Sequence, residues 1–250
     1  MSTILLLDLD HTLYPSTAPT LTAVDARITR FIETRLSLPP ERADQMRRDL
    51  CAAHGTTLRG LEILHGVSRD EYTDYIQDLA DHLMPVPDTA LRDWLLTASR
   101  RRPTYLFTNA RRDWAHRCLA HLGLSDLLGS DAGATTGADV SDTRVSGVAS
   151  ASSSALAGVF DIDFMGWEGK PNPVAFERVE RHLDVRHPGV ASYVFADDRL
   201  DNLAAAQARG WRTVWVRPHD APYDAGAFGS LGSNAHRVVD RLTDLDPETL

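Results

Sequence analysis

Five short apolar runs recur along this chain, and the first four lead directly into polar or acidic side chains. They are Thr3 to Leu9 (TILLLDL), Thr104 to Phe107 before Thr108 and Asn109, Gly158 to Phe160 before Asp161, Ser192 to Ala196 before Asp197 and Asp198, and Trp211 to Val216. A strand that is apolar throughout must be covered on both faces, which is the situation inside a parallel sheet. Helical patterns over Asp113 to Leu122, Val174 to Leu183 and Asn202 to Arg209 occupy the intervals, as crossover connections between parallel strands require. The expectation is an α/β fold, a doubly wound parallel sheet whose ligands bind beyond the carboxyl ends of its strands.

A long helical stretch interrupts this alternation after the first strand. Leu21, Val24, Ile28, Phe31 and Ile32 keep helical spacing, and Pro40 to Ala53, Leu58 to Leu64 and Arg69 to Leu79 each carry one apolar face. The predicted organisation is a core of residues 1–14 and 86–250, with a helical cap of residues 15–85 inserted into it. Residues 129–158 are almost entirely Gly, Ala, Ser, Thr, Asp and Val. That composition buries too little apolar area to order itself, so a flexible loop without a catalytic part is expected there.

The polar residues at the strand ends carry the chemistry. Asp8 and Asp10 stand two apart with Thr12 following, a spacing at which one carboxylate can attack as a nucleophile while the other moves a proton. Thr108 and Asn109 offer a hydroxyl, an amide and backbone N–H groups. Lys170 is the only lysine in a chain with 26 Lys and Arg residues. Lysine supplies a compact point charge where arginine supplies a planar fork, and Pro171 and Pro173 suit the first turn of a helix just beyond it. Asp197, Asp198 and Asp201 cluster after the fourth run. Adjacent carboxylates at the mouth of a buried strand repel unless a cation neutralises them, and an all-oxygen donor set favours Mg²⁺. Taken singly, an Asx turn, a strand-end turn, a surface lysine and a solvated acidic loop would account for these residues. Their common placement, beyond strand ends of one sheet, points to one shared site.

Composition narrows the partners. With a net charge of −9 and a pI near 5.5, the chain has no basic surplus to displace counterions from a nucleic-acid polymer or to hold an anionic membrane. Cys51 and Cys118 form no C-x-x-C pair, and the ten histidines show no zinc-ligand spacing. The apolar run at Met1 to Leu7 is too short for a signal peptide or membrane span, and a cytoplasmic location is expected. No G-x-G-x-x-G or G-x-S-x-G occurs, and around Gly169 and Lys170 the first P-loop glycine is replaced by Phe164 and the Ser/Thr by Pro171.

The order D-x-D-x-T, Thr, Lys, Asp-Asp resembles the haloacid dehalogenase (HAD) superfamily of aspartate-nucleophile phosphatases. Within it, Asp8 to Ser16 (DLDHTLYPS), His54 to Leu61 (HGTTLRGL), Leu106 to Arg117 (LFTNARRDWAHR), Gly169 to Phe176 (GKPNPVAF) and Phe195 to Val216 are similar to the pyrimidine 5'-nucleotidase branch. The first and last of these are shared across the superfamily; HGTTLRGL is specific to the branch. The resemblance implies a Rossmann-like core and a Mg²⁺-dependent phosphomonoesterase acting on a small phosphorylated substrate. In this picture Asp8 attacks phosphorus and Asp10 serves as acid and then base. Thr108, Asn109 and Lys170 hold the phosphoryl group, with Tyr14 and Thr56 toward the leaving group. Asp8, the Asp10 carbonyl and Asp198 bind the metal, with Asp197 or Asp201 contributing. Two features depart from the branch, His11 in place of its usual Asn or Asp and the insertion at 129–158. Two other readings remain in view: a dehalogenase on the same fold, and a phospho-ligand binding protein without turnover.

Overall fold

Five strands form where the continuous apolar runs lie, β1 Ser2–Leu7, β2 Thr104–Phe107, β3 Gly158–Phe160, β4 Val190–Asp197 and β5 Arg212–Val216, and a short β6, Arg237–Val239, joins them. In this computed structural model, which describes residues 2–129, 154–219 and 237–250, they make one sheet in the order β3-β2-β1-β4-β5-β6. Every neighbouring pair is parallel. Ile4, Leu5, Leu6 and Leu7 have no exposed surface. Because successive side chains point to opposite faces, β1 is covered on both sides.

The helices are α1 Pro19–Leu36, α2 Pro40–His54, α3 Thr57–His65, α4 Arg69–Gln77, α5 Thr89–Arg101, α6 Arg112–His121, α7 Pro173–Arg186 and α8 Leu200–Ala208. Crossovers between parallel strands are right-handed. Helices α5 and α6, which carry the chain from β1 through β2 to β3, therefore cover one face, and α7 and α8 cover the other. Ile4, Leu6, Phe107 and Phe195 accordingly pack with Ala175, Phe176 and Val179 of α7 and Leu203 and Ala206 of α8. The direction of winding reverses between β1 and β4, and in such sheets ligands bind outside the carboxyl ends at this point.

The chain divides into two compact units, Met1–Pro15 with Val86–Leu250, and Ser16–Pro85. The second consists of α1 to α4. Phe31 of α1 meets the rings of Tyr72 and Tyr75 with centroids 5.3 and 5.5 Å apart, and the Arg27 guanidinium lies over Tyr75. Among the described residues no helix is long and apolar enough to cross a membrane.

Three features differ from the sequence expectations. Helix α5 was not anticipated, although Leu91, Trp94, Leu95 and Ala98 form its buried stripe at helical spacing. Strand β6, Arg237–Val239, was not anticipated because it offers only two apolar residues behind an arginine. Most of the loop expected over 129–158 lies outside the described residues, but its C-terminal end is ordered. The Gly129 N–H donates to the Leu156 carbonyl at 3.1 Å, the Leu156 N–H to the Leu127 carbonyl at 2.8 Å, and Ala155 and Leu156 are buried. The sequence boundary ran too far because these two apolar residues sit within a Ser/Ala/Gly-rich context.

Candidate active site

The sheet aligns the acidic residues by extending its ladder. The Asp8 N–H donates to the Ala196 carbonyl at 2.9 Å, one step past the β1–β4 register, and this brings Asp8 beside Asp197 and Asp198. The three carboxylates each offer an oxygen within 4.8 Å of the others. After Asp8 the chain turns back on itself, with the Leu13 N–H donating to the Leu9 carbonyl at 2.9 Å and His11 at φ +60°. Among residues with side chains, Asn, Asp and His are the ones enriched in this left-handed region. Backbone geometry thus accounts for finding His where the similar branch has Asn or Asp. The His11 Nδ1 lies 3.4 Å from Asp198 Oδ2.

Lys170 enters the cluster from just before α7. That helix starts where Asn172 caps it, accepting from the Val174 N–H at 3.0 Å, with Pro173 in the first turn. Asn109, past β2, clamps the Lys170 backbone from both sides: its Oδ1 accepts from the Lys170 N–H at 2.8 Å and its Nδ2 donates to the Lys170 carbonyl at 2.8 Å. The ammonium, with 1% of its side chain exposed, donates to Asp8 Oδ1 at 2.8 Å, Asp197 Oδ2 at 2.7 Å and the Phe107 carbonyl at 2.6 Å. Its three donors are thereby used. It also stands 5.0 Å from the ring centroids of Phe107 and Phe195, favourable positions for a cation over an aromatic face.

Asp197 is the most committed carboxylate. Oδ1 accepts from the Arg199 N–H at 2.8 Å and from Asn202 Nδ2 at 3.0 Å, while Oδ2 accepts from Lys170 and again from Asn202 Nδ2 at 3.0 Å. Two bonds per oxygen exhaust its lone pairs. It lies within the acidic cluster that could hold a metal ion, and of the three it has the fewest lone pairs left for direct ligation. Asp201 is held by Arg199 at 2.6 Å and falls outside the cluster.

Electrostatics follow from burial. Desolvation holds the Asp8 carboxyl well above the usual carboxylate range; Lys170 opposes this, and Asp197, Asp198 and Asp10 reinforce it. Burial likewise raises Asp197 against the pull of Lys170. For Lys170, burial favours the neutral amine, but the two flanking carboxylates outweigh it and hold the ammonium above its ordinary value. When ionised, three carboxylates against one ammonium leave two formal negative charges. An oxygen-only donor set with that surplus fits a divalent cation of the Mg²⁺ type.

Asp10 has a different setting. Burial raises its carboxyl, and hydrogen bonds from Tyr14 and Trp114 offset part of the rise. The Tyr14 hydroxyl and Trp114 Nε1, the latter at 3.2 Å, both donate to Asp10 Oδ1. Tyr14 is therefore a buried partner of the second acid, with 3% exposure, and not the substrate-facing ring expected from the sequence. Thr108 is buried; its N–H donates to the Phe160 carbonyl at 3.0 Å and its Oγ1 accepts from the Ala110 N–H at 3.0 Å. Thr56 belongs to the helical unit, where its Oγ1 accepts from the Arg59 N–H at 3.1 Å and caps α3. That bond gives its hydroxyl oxygen a structural task and leaves its O–H as a donor. The Thr12 hydroxyl is buried without a hydrogen-bond partner among the described residues.

Trp114 and Asn202 were absent from the sequence prediction. Asn202 carried a weak signal, an amide in the first turn of the helix after an acidic strand end. Trp114 carried none, since 104 positions separate it from Asp10.

Comparison with known proteins extends this geometry. The family model for haloacid dehalogenase-like hydrolases matches residues 3–210. Phosphate metabolism protein 8 of Saccharomyces cerevisiae is 27% identical over an alignment of 131 residues that covers 48% of this chain and 40% of that protein. The match thus spans less than half the length of this curated relative. The structure of Bacillus subtilis YfnB, bound to magnesium, superposes with a TM-score of 0.54 at 15% identity, covering 97% of this chain and 96% of its own. An L-2-haloacid dehalogenase from Xanthobacter autotrophicus with chloropropionic acid covalently bound gives 0.52 at 18% identity, covering 99% and 97%. Identities this low show a shared fold.

Proposed function

This chain belongs to the haloacid dehalogenase-like hydrolases, and from that membership we propose that it is a magnesium-dependent phosphomonoesterase working through a phosphorylated Asp8. The observation that carries the reading is Asp10. A halide departs without a proton, whereas an alkoxide leaving group needs one, and Asp10 is a second acid whose carboxyl is raised by burial and held by two donors. A carboxyl so raised remains available as a general acid closer to neutral pH.

The residues divide the work. Asp8 forms a bond to phosphorus as the bond to the leaving oxygen breaks, and that oxygen takes the Asp10 proton. Asp10, now a carboxylate, takes a proton from the water that splits the acyl phosphate, releasing inorganic phosphate and restoring the Asp8 carboxylate and the Asp10 acid. Lys170 acts through its charge, because its three N–H groups are already occupied. Asp197 and Asn109 keep it in place, and Thr108 lines the phosphoryl position. Asp8 and Asp198, with the Asp10 carbonyl, would hold Mg²⁺, which supplies the positive charge an anionic nucleophile needs beside an anionic substrate. The substrate class we favour is a nucleoside 5'-monophosphate of the pyrimidine type, supported by the similarity of His54 to Leu61 (HGTTLRGL) to that branch, with residues 16–85 as the cap and the protein acting in the cytoplasm.

A phosphate-release screen over nucleoside monophosphates and sugar phosphates tests this. Turnover should require Mg²⁺ and fall at least 100-fold in Asp198→Asn, in line with the loss of a first-ligand carboxylate or its support. Metal-independent chloride release from 2-chloropropionate would replace it with the dehalogenase reading, and Mg²⁺-phosphate binding without any turnover with the binding-protein reading.

Metal should also stabilise the fold in a pH-dependent manner. Since burial holds the folded Asp8 carboxyl well above the ordinary carboxylate range, the folded state keeps a proton that the unfolded chain has lost, so metal-free stability falls as pH rises from that range toward the raised value. Mg²⁺ competes with this proton. The rise in Tm on adding Mg²⁺ should therefore be larger at pH 8 than at pH 5, as thermal unfolding at both values would show; an equal shift would contradict it.

A further inference from the structure

We propose that Tyr14 and Trp114 are positioning residues that select which oxygen of Asp10 delivers the proton; this rests on the phosphomonoesterase reading above. Both donors converge on a single atom, Oδ1. A carboxyl oxygen that accepts two hydrogen bonds has no lone pair left for a proton, so in the acid form the O–H resides on Oδ2. Carboxyl groups rotate easily about their terminal torsion, which is broad and roughly two-fold. Without the two donors, the proton would be shared between two oxygens and two orientations.

The three groups come from separate places. Asp10 and Tyr14 lie on the turn after β1, four residues apart, and Trp114 lies in the first turn of α6. Trp114 and Tyr14 are 4% and 3% exposed, so water does not replace either donor readily. Both are neutral donors: burial, then the Asp10 charge, keeps the Tyr14 phenol well above its usual value, and an indole N–H does not titrate. They therefore orient Asp10 without neutralising it.

In the first half-reaction the Asp8–phosphorus bond forms, the phosphorus–oxygen bond to the leaving group breaks, and the Oδ2 proton moves to that oxygen to give the free alcohol. In the second, Oδ2 takes a proton from water as water oxygen bonds to phosphorus and the Asp8 acyl-phosphate bond breaks. Oδ1 stays bound to Tyr14 and Trp114 throughout.

The test is the dependence of rate on the leaving group. Tyr14→Phe and Trp114→Phe, singly, are compared with wild type on p-nitrophenyl phosphate, whose phenolate leaves unaided, and on an alkyl or nucleoside monophosphate, whose oxygen needs a proton. General acid catalysis contributes roughly 10²- to 10⁴-fold. Loss of one of two orienting bonds should therefore lower kcat for the alkyl ester about 10-fold, with KM little changed, and lower the nitrophenyl ester less than about 3-fold. Trp114→His, which restores a ring N–H, should recover part of the difference, and the nearly isosteric Tyr14→Phe carries the test if Trp114→Phe fails to fold. Equal losses on both esters, or none on either, in folded variants would overturn the positioning role while leaving the phosphomonoesterase reading intact. Wild-type protein inactive on every ester would overturn both.

Discussion

Asp8→Asn is expected to lower phosphate release by on the order of 10⁴-fold or more, the scale on which removal of a nucleophile acts in enzymes that form covalent intermediates. The fold should not suffer with the chemistry. Burial and three neighbouring carboxylates disfavour charge on Asp8, and an amide of the same shape removes one negative charge from the cluster while its Oδ1 still accepts from Lys170. Metal-free Tm at pH 8 should therefore equal or exceed that of wild type, whereas the increase produced by Mg²⁺ should shrink. Calorimetry and a phosphate-release assay on the same preparation separate these effects. Turnover near the wild-type rate would exclude Asp8 as the nucleophile, and a Tm several degrees lower would exclude the electrostatic account of the cluster.

Lys170→Met should cost about 3–5 kcal/mol of stability at neutral pH, the range found when one member of a buried ion pair is removed. Methionine fills much the same volume, so the effect is that of charge. Asp8 and Asp197 would face each other without the ammonium that now lies 2.8 and 2.7 Å from them. Both carboxyls are already raised in the folded state, and loss of the cation raises them further. A folded-state pKa above the unfolded one gives stability that is present at low pH and disappears as pH rises. The deficit should thus be small near pH 4 and largest at pH 8 without metal. Asp197→Asn in the same chain should recover part of it. Denaturant unfolding at the two pH values decides the matter: a deficit under 1 kcal/mol at pH 8, or one that does not change with pH, would show that the ammonium is not the counter-charge of this pair.

How far the sequence could be read follows from which interactions are local. Strands β1, β2, β4 and β5 were legible because a strand covered on both faces has no polar alternation to obscure it, and Leu5, Leu6 and Leu7 leave little other use for such a run. Helix α5 was legible in principle through Leu91, Trp94, Leu95 and Ala98. Strand β6 was not, since two valines behind an arginine make no continuous apolar run. Asp8, Lys170, Asp197 and Asp198 could be named because each ends a strand or begins a helix, where a parallel sheet gathers its functional groups. Roles were harder to read than places. Tyr14 looked like a substrate contact, but its hydroxyl is buried and donates to Asp10, Thr56 also caps α3 through the Arg59 N–H, and Asn109 holds the Lys170 backbone.

The sequence by itself determined the parallel sheet, the order of its acidic strand ends and the lysine placed to meet them, because these depend on residue type at local spacing. Tertiary structure alone decided which oxygen each donor meets: that Asp197 has no lone pair to spare, that Lys170 has no N–H to spare, and that Trp114 reaches across 104 positions to Asp10. Hydrogen bonds depend on ångström-scale direction and distance, and for partners brought together only by the packing of a sheet and its helices, no sequence interval records that geometry.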